Sequence, residues 1–203
     1  MGDRFIPLHD ARLLAVRPLL TERLGELAAM ASDGQFDEFF DGTMRAHFVS
    51  CLHKIGAHEG TVWLLDESQS FLIPRFNTGP KAASFVGKFR QNLRSGMISM
   101  VVSTEQPICE NEVYKNQLQD KRLDQTLGLL TCAMVATPLY FAGRLRGVIS
   151  AVQLKPAQLK DKEPDPPGFT EDHLEAWQLT ASVLARLVDR VLIASALDLE
   201  DYT

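Results

Sequence analysis

The chain has 203 residues, 45% hydrophobic and 23% charged, enough to bury a core without disulfides or metal. A formal net charge of −5 argues against non-specific nucleic-acid binding, which draws on a basic surface to displace counterions. Cys51, Cys109 and Cys132 form no disulfide framework and fit a reducing cytoplasm. The opening MGDRFIPLHD has no signal-peptide pattern, and no stretch approaches the roughly 20 apolar residues of a membrane span.

In chain order, the first predicted helix covers residues 18–30, with Pro18 in its first turn, where a missing N–H costs nothing. Leu13, Val16, Leu20, Leu24, Leu27 and Ala31 recur at spacings of three and four, the seam of an amphipathic helix, and Ser32-Asp33-Gly34 stops it. A second helix is expected over 37–57, capped by Asp37, with a core stripe of Phe40, Met44, Phe48, Cys51, Leu52 and Ile55. The period then changes. Residues 61–65 and 70–76, rich in β-branched and aromatic side chains, read as an antiparallel hairpin around Asp66-Glu67-Ser68-Gln69. Helical spacing returns over 81–93 through Phe85, Val86, Phe89 and Leu93, until Gly96 breaks it.

Residues 98–103 are predicted as a short helix and 107–109 as an edge strand, since Pro107 cannot donate to a ladder. Residues 113–127 are helix or ordered loop. Residues 131–140 and 145–154 are strands joined by a turn in which Gly143 supplies positive φ. Four prolines and mixed charges mark 155–168 as an exposed, mobile loop. Thr170 caps the last helix, whose Leu174, Trp177, Ala181, Leu184, Val188, Val191 and Ser195 form one line and Val183, Leu187 and Ala194 a second. One line can pack on a sheet. The second needs cover, either from the first helix alone or from the same two helices of a second subunit in a four-helix homodimer.

The order of GTVWLLDE at 60–67, GMISMVVSTEQPI at 96–108, ATPLYFAGRLRGVISAV at 136–152 and FTEDH from Phe169 resembles a GAF domain. Ser103-Thr104-Glu105-Gln106-Pro107 stands where that family often has a T-G/K-Q/E-P element, and Pro138-Leu139, Gly143 and Gly147-Val148 where it has P-L…G…G-V. The resemblance implies an α+β fold, a central antiparallel sheet with terminal helices on one face and a helix-and-loop excursion over residues 79–130 on the other. It divides the chain into an N-terminal helical extension at 1–34, a GAF-like domain at 35–192 and a tail or helix continuation at 193–203. A chamber between sheet and excursion would take a small molecule, lined by Phe85, Phe89, Met97, Ser99, Cys109, Tyr114, Met134 and Thr137. Arg75 is placed to meet an anionic ligand or to lie along the sheet.

The expected role is a non-catalytic sensor that dimerises and signals to an effector protein, with no nucleic acid or membrane involved and no cofactor specified. The rival readings are a purely structural dimerisation module with an occluded pocket, and a thiol-dependent methionine sulfoxide reductase. Cyclic-nucleotide-binding relatives carry an Asn-Lys pair, then Phe, then Asp-Glu. Here Gln153, a displaced Lys155, Phe169 and Asp172 or Glu175 make a partial match. Bilin-binding relatives need a Cys on the excursion, and residues 114–130 have none. The reductases use a GVCG-like turn, and the matching Ser95-Gly96-Met97-Ile98 has no thiol, though Cys109 and Cys132 are candidates to meet across strands. His47, Cys51 and His58 share one helix face but read better as a core thiol and surface histidines than as metal ligands. No hydrolase elbow, zincin or Walker motif is present.

Overall fold

The computed structural model describes residues 11–32 and 35–197. Helix α1 (Ala11–Ser32) leads through α2 (Phe36–Phe39) and α3 (Gly42–Lys54) to strands β1 (Glu59–Leu65) and β2 (Phe71–Asn77). The excursion follows: α4 (Ala82–Phe85), β3 (Gln91–Asn92), α5 (Met97–Thr104), β4 (Ile108–Glu110), a 3-10 turn at Val113–Lys115 and α6 (Arg122–Leu127). The long hairpin β5 (Leu129–Phe141) and β6 (Arg144–Pro156) and helix α7 (Glu171–Ala196) complete it. The strands form one antiparallel sheet in the order β3-β2-β1-β6-β5-β4.

Strand alternation sorts the side chains. Val62 and Leu64 of β1, Ile149 and Ala151 of β6, and Ala133 and Val135 of β5 face the helices and join Phe36, Phe40, Phe48, Trp177 and Leu184 in the main core. Trp63, Leu72, Ala136 and Val148 point the other way, against Ile98 and Val101 of α5. Trp177 is fully buried, donates its indole N–H to the Ile149 carbonyl at 3.2 Å and meets the Phe48 ring edge-on. At Gly147 the strands approach so closely that a Cβ would fall 1.8 Å from the Trp63 carbonyl oxygen, which explains a residue the family pattern singles out.

Several expectations are corrected. The first helix begins before residue 18 and encloses Pro18; burial of Leu24, Leu27 and Ala28 against the core outweighs the local penalty. Asp33 and Gly34, the expected stop, lie outside the described residues, as do the side chains of Leu13 and Ala31 and residues 198–203. The second helix is two. The chain breaks at Phe40, and Asp41, not Asp37, caps α3 by accepting the Met44 N–H at 2.8 Å. Asp37 instead pairs with Arg45.

The helix expected over 81–93 stops at Phe85. Gly87 turns at φ +72° and residues 91–92 add to the edge of β2, because an open ladder satisfies their backbone better than one more exposed turn. The turn after β5 has positive φ at Ala142 as well as at Gly143. Asp189 of α7 holds it there by accepting the Ala142 N–H at 2.6 Å. The loop at 155–168 is pinned. Buried Lys155 pairs with Asp165 at 2.5 Å, and the Gln153 side-chain oxygen accepts the Gly168 N–H at 2.8 Å. The capping box at Thr170 stands as expected, with His173 closing it. Residues 193–196 continue α7.

Candidate functional site

The excursion does not seal the sheet. A cavity of about 90 Å³ lies between them. Its floor follows the period of two: Glu59, Thr61 and Trp63 on β1, and Ser150, Val152 and Leu154 on β6. On β5 the phase changes from Leu129 and Thr131 to Met134, because a β-bulge between Thr131 and Ala133 inserts one residue. The roof is Phe85 of α4, Phe89, Gln91 of β3, Met97 and Ile98 of α5, and the segment from Gln119 to Leu127. Gly96 fits between them at φ +92°; a Cβ there would come within 2.7 Å of the Gln91 amide nitrogen.

Most polar groups of this cavity are committed. Trp63 Nε1–H donates to Ser150 Oγ at 3.0 Å. Asn77 donates to Thr61 Oγ1 at 2.9 Å. Gln91 donates to the Ser95 carbonyl at 2.6 Å. Asp124 ties roof to floor: it accepts the backbone N–H and the hydroxyl of Thr131, both at 2.8 Å, and the Gln119 amide at 2.8 Å. Asp120 pairs with Arg122 at 2.6 Å, whose hydrogen bond holds its carboxyl below the usual range. Burial pushes the Glu59 carboxyl up, partly offset by the Asn77 hydrogen bond and the charges of His58 and Lys81. The Gln119 side-chain oxygen is buried and has no partner. Lys81, at the start of α4, donates to the Leu127 carbonyl and so links the two ends of the roof.

Four of the eight expected lining residues meet here: Phe85, Phe89, Met97 and Met134. The other four do not. Ser99 turns its hydroxyl to the Asn92 carbonyl at 2.9 Å. Cys109 is exposed on the edge strand with its thiol toward the Phe169 carbonyl. Tyr114 donates its hydroxyl to Asp165 at 2.8 Å. Thr137 is three residues from Met134, hence on the opposite face, where it borders an open groove of about 280 Å³ with Pro107, Tyr140 and Gln178. The sequence reading missed Thr61, Glu59, Thr131 and Ser150. Strand parity on β1 and β6 was sufficient to find three of them; Thr131 needed the bulge.

The partial nucleotide motif is used structurally. Gln153 braces Gly56 and Gly168, Lys155 holds Asp165, and Phe169 is buried, while Asp172 and Glu175 are exposed on α7. The thiols do not meet. Cys109 stands opposite Val135, and Cys132 is three residues along, about 10 Å at strand rise. Burial raises both thiols, Cys132 to about 11. His58 accepts the Leu154 N–H at 2.9 Å, while His47 lies 3.7 Å from Cys51. Among the described residues no group of three His, Cys, Asp or Glu is placed to hold a metal ion.

A family model described as GAF domain matches residues 40–189. No curated protein matches the sequence. Among solved structures, the chain is similar to the GAF domain of a phosphoenolpyruvate-protein phosphotransferase from Coxiella burnetii, with TM-score 0.56 and 15% identity over 92% of this chain and 96% of that one. It is similar to the second GAF domain of DevS from Mycobacterium smegmatis, with TM-score 0.53 and 16% identity over 76% of this chain and 94% of that one. It is also similar to a free methionine-R-sulfoxide reductase from Thermoplasma acidophilum, with TM-score 0.53 and 18% identity over 75% and 94%. At such identities the likeness is one of fold.

Proposed function

Because the chain belongs to the GAF domain family, whose members are generally regulatory modules that sense small molecules, we propose that it is a sensor without chemistry of its own. A small molecule enters the cavity between sheet and excursion, shifts the roof, and the terminal helices relay the change to an effector protein. The observation that carries this reading is the cavity itself, with a buried acceptor on Gln119 that no protein group satisfies. At about 90 Å³ the space suits a compact ligand and not a drug-sized one, for which pockets run to roughly 300–1,000 Å³. The ligand acts only through its differential affinity for the two roof positions.

Dimerisation belongs to the same proposal. Val16, Leu19 and Met30 are exposed on one side of α1, within about 60° of one another. Leu179 and Ile193 are exposed on the side of α7 opposite Trp177. A second copy contributing the same helices covers both faces in a four-helix bundle. No helix among the described residues is long and apolar enough to cross a membrane, and the three thiols are free, in keeping with a reducing cytoplasm.

A thermal-shift screen of amines, amino acids, organic acids and nucleotides tests the sensor reading. A true ligand at about a hundred times its dissociation constant adds roughly 2.7 kcal/mol of stability. A screen without any stabilising compound favours the occluded structural module instead. Reduction of free methionine sulfoxide by the purified protein would overturn the non-catalytic part; the raised thiols argue against it.

A further inference from the structure

The cavity is acidic and aromatic at once. Its walls contain three carboxylates, Glu59, Asp120 and Asp124, and no lysine, arginine or histidine. Only Asp120 is paired with a cation, Arg122. Asp124 is held by neutral donors, the Thr131 N–H and hydroxyl and the Gln119 amide, which satisfy its oxygens without cancelling its charge. Glu59 has the neutral Asn77 amide beside it, with His58 and Lys81 acting at longer range. Lys81 donates to the neutral Leu127 carbonyl and keeps its charge, but neither it nor His58 forms an ion pair with Glu59.

Two further observations are independent of charge. The Gln119 side-chain oxygen is buried and lacks a donor. Trp63, Phe85 and Phe89 are the aromatic walls; Trp63 and Phe89 lie edge to face at 6.3 Å between centroids, and the Arg122 guanidinium already sits over the Phe89 ring at 5.3 Å, which leaves Trp63 and Phe85 as the faces open to a ligand cation. A ring face attracts a cation, an orphan carbonyl wants an N–H, and a carboxylate without a counter-ion wants positive charge. The carboxylates are not clustered tightly enough to chelate a metal ion. An anion entering here would meet like charge in a poorly solvated space.

Resting on the reading of this cavity as a ligand site, we infer that its ligand is a small alkylammonium, a compact organic cation whose N–H groups face the carboxylates and Gln119 and whose carbon chain lies against the aromatic walls. Anionic metabolites are excluded by the same walls. Glu59 is the charge selector, because it is the carboxylate least engaged by the fold.

The test uses three probes of one length and different charge: n-butylammonium, 1-butanol and butyrate. The whole chain carries ¹³C-methyl methionine, and the Met97 and Met134 methyl signals report on occupancy because both side chains line the cavity. The expected result is that n-butylammonium shifts both signals with an affinity at least about tenfold above that of 1-butanol, with butyrate silent. Glu59→Gln is expected to abolish most of that preference while the circular dichroism spectrum stays unchanged. Should 1-butanol or butyrate shift the same methyls as strongly as the ammonium, the charge inference falls and the cavity stands as a site of other specificity. Should none of the three move either methyl at tens of millimolar, the inference and the reading of the cavity as a ligand site fall together. Should Glu59→Gln keep the full preference, Glu59 is not the selector.

Discussion

The two faces of the sheet are built to different standards. On the helix face, Phe36, Phe40, Phe48, Trp177, Leu184 and Leu192 are almost completely buried and continuous with one another. On the excursion face, six buried apolar residues form a smaller core beside an open cavity, and polar side chains hold the roof. Close packing makes a face rigid and leaves no space; a roof held by hydrogen bonds can reposition at modest cost. On the proposed sensor reading, the helix face is the scaffold and the excursion face the part that responds.

The largest expected effect lies on the scaffold. Trp177→Ala removes a fully buried ring and its hydrogen bond to Ile149, and is expected to cost about 3–5 kcal/mol by urea denaturation. Ile98→Ala, at the excursion core, is expected to cost about 2 kcal/mol, because its neighbours border space into which they can relax. Equal losses at the two sites would erase the contrast between the faces. Asp41→Ala removes the α3 cap and is expected to cost about 1 kcal/mol. Ala142→Gly relieves a left-handed alanine in the hairpin turn, with an expected gain of about 0.5–1 kcal/mol while Asp189 still accepts its N–H.

The smallest effect is the most specific to the cavity. Burial raises the Glu59 carboxyl in the folded chain, so the fold binds this proton more tightly than the unfolded chain does. Ionised Glu59 therefore lowers stability above its raised pKa, and that loss is relieved as pH falls through it. Glu59→Gln is expected to be slightly more stable than the parent near neutrality, with the advantage fading toward acid pH. A constant difference at all pH values would mean that the charge of Glu59 is not what the cavity disfavours.

The scaffold was largely legible in the sequence. The stripe of Met44, Phe48, Leu52 and Ile55 and the line of Trp177, Ala181, Leu184 and Val188 fall on the core as their spacing demands, and the long hairpin announced itself by its β-branched runs and Gly143. The excursion was not. Its 81–93 segment has helical spacing, yet the open edge of β2 captured residues 91–92 as a strand. The site was half legible for a related reason. Phe85, Phe89, Met97 and Met134 were found as large apolar residues near a chamber, but Thr137 was misplaced across the sheet, and the bulge that turns Thr131 inward has no local signature. Asp120 and Asp124 give no signal in the sequence, because with Lys121 and Arg122 they form a mixed-charge run, the pattern of a solvated face. The ties from Asp124 to Thr131 fold this run inward over the sheet.

The most direct test of the two-faced account is amide hydrogen exchange of the whole chain with and without a compound that raises its melting temperature. The account expects new protection at residues 82–92 and 119–127, where roof meets ligand, with the amides beneath Trp177 already slow and little changed. Protection gained instead along the groove beside Thr137 and Gln178, with the roof unaffected, would contradict it.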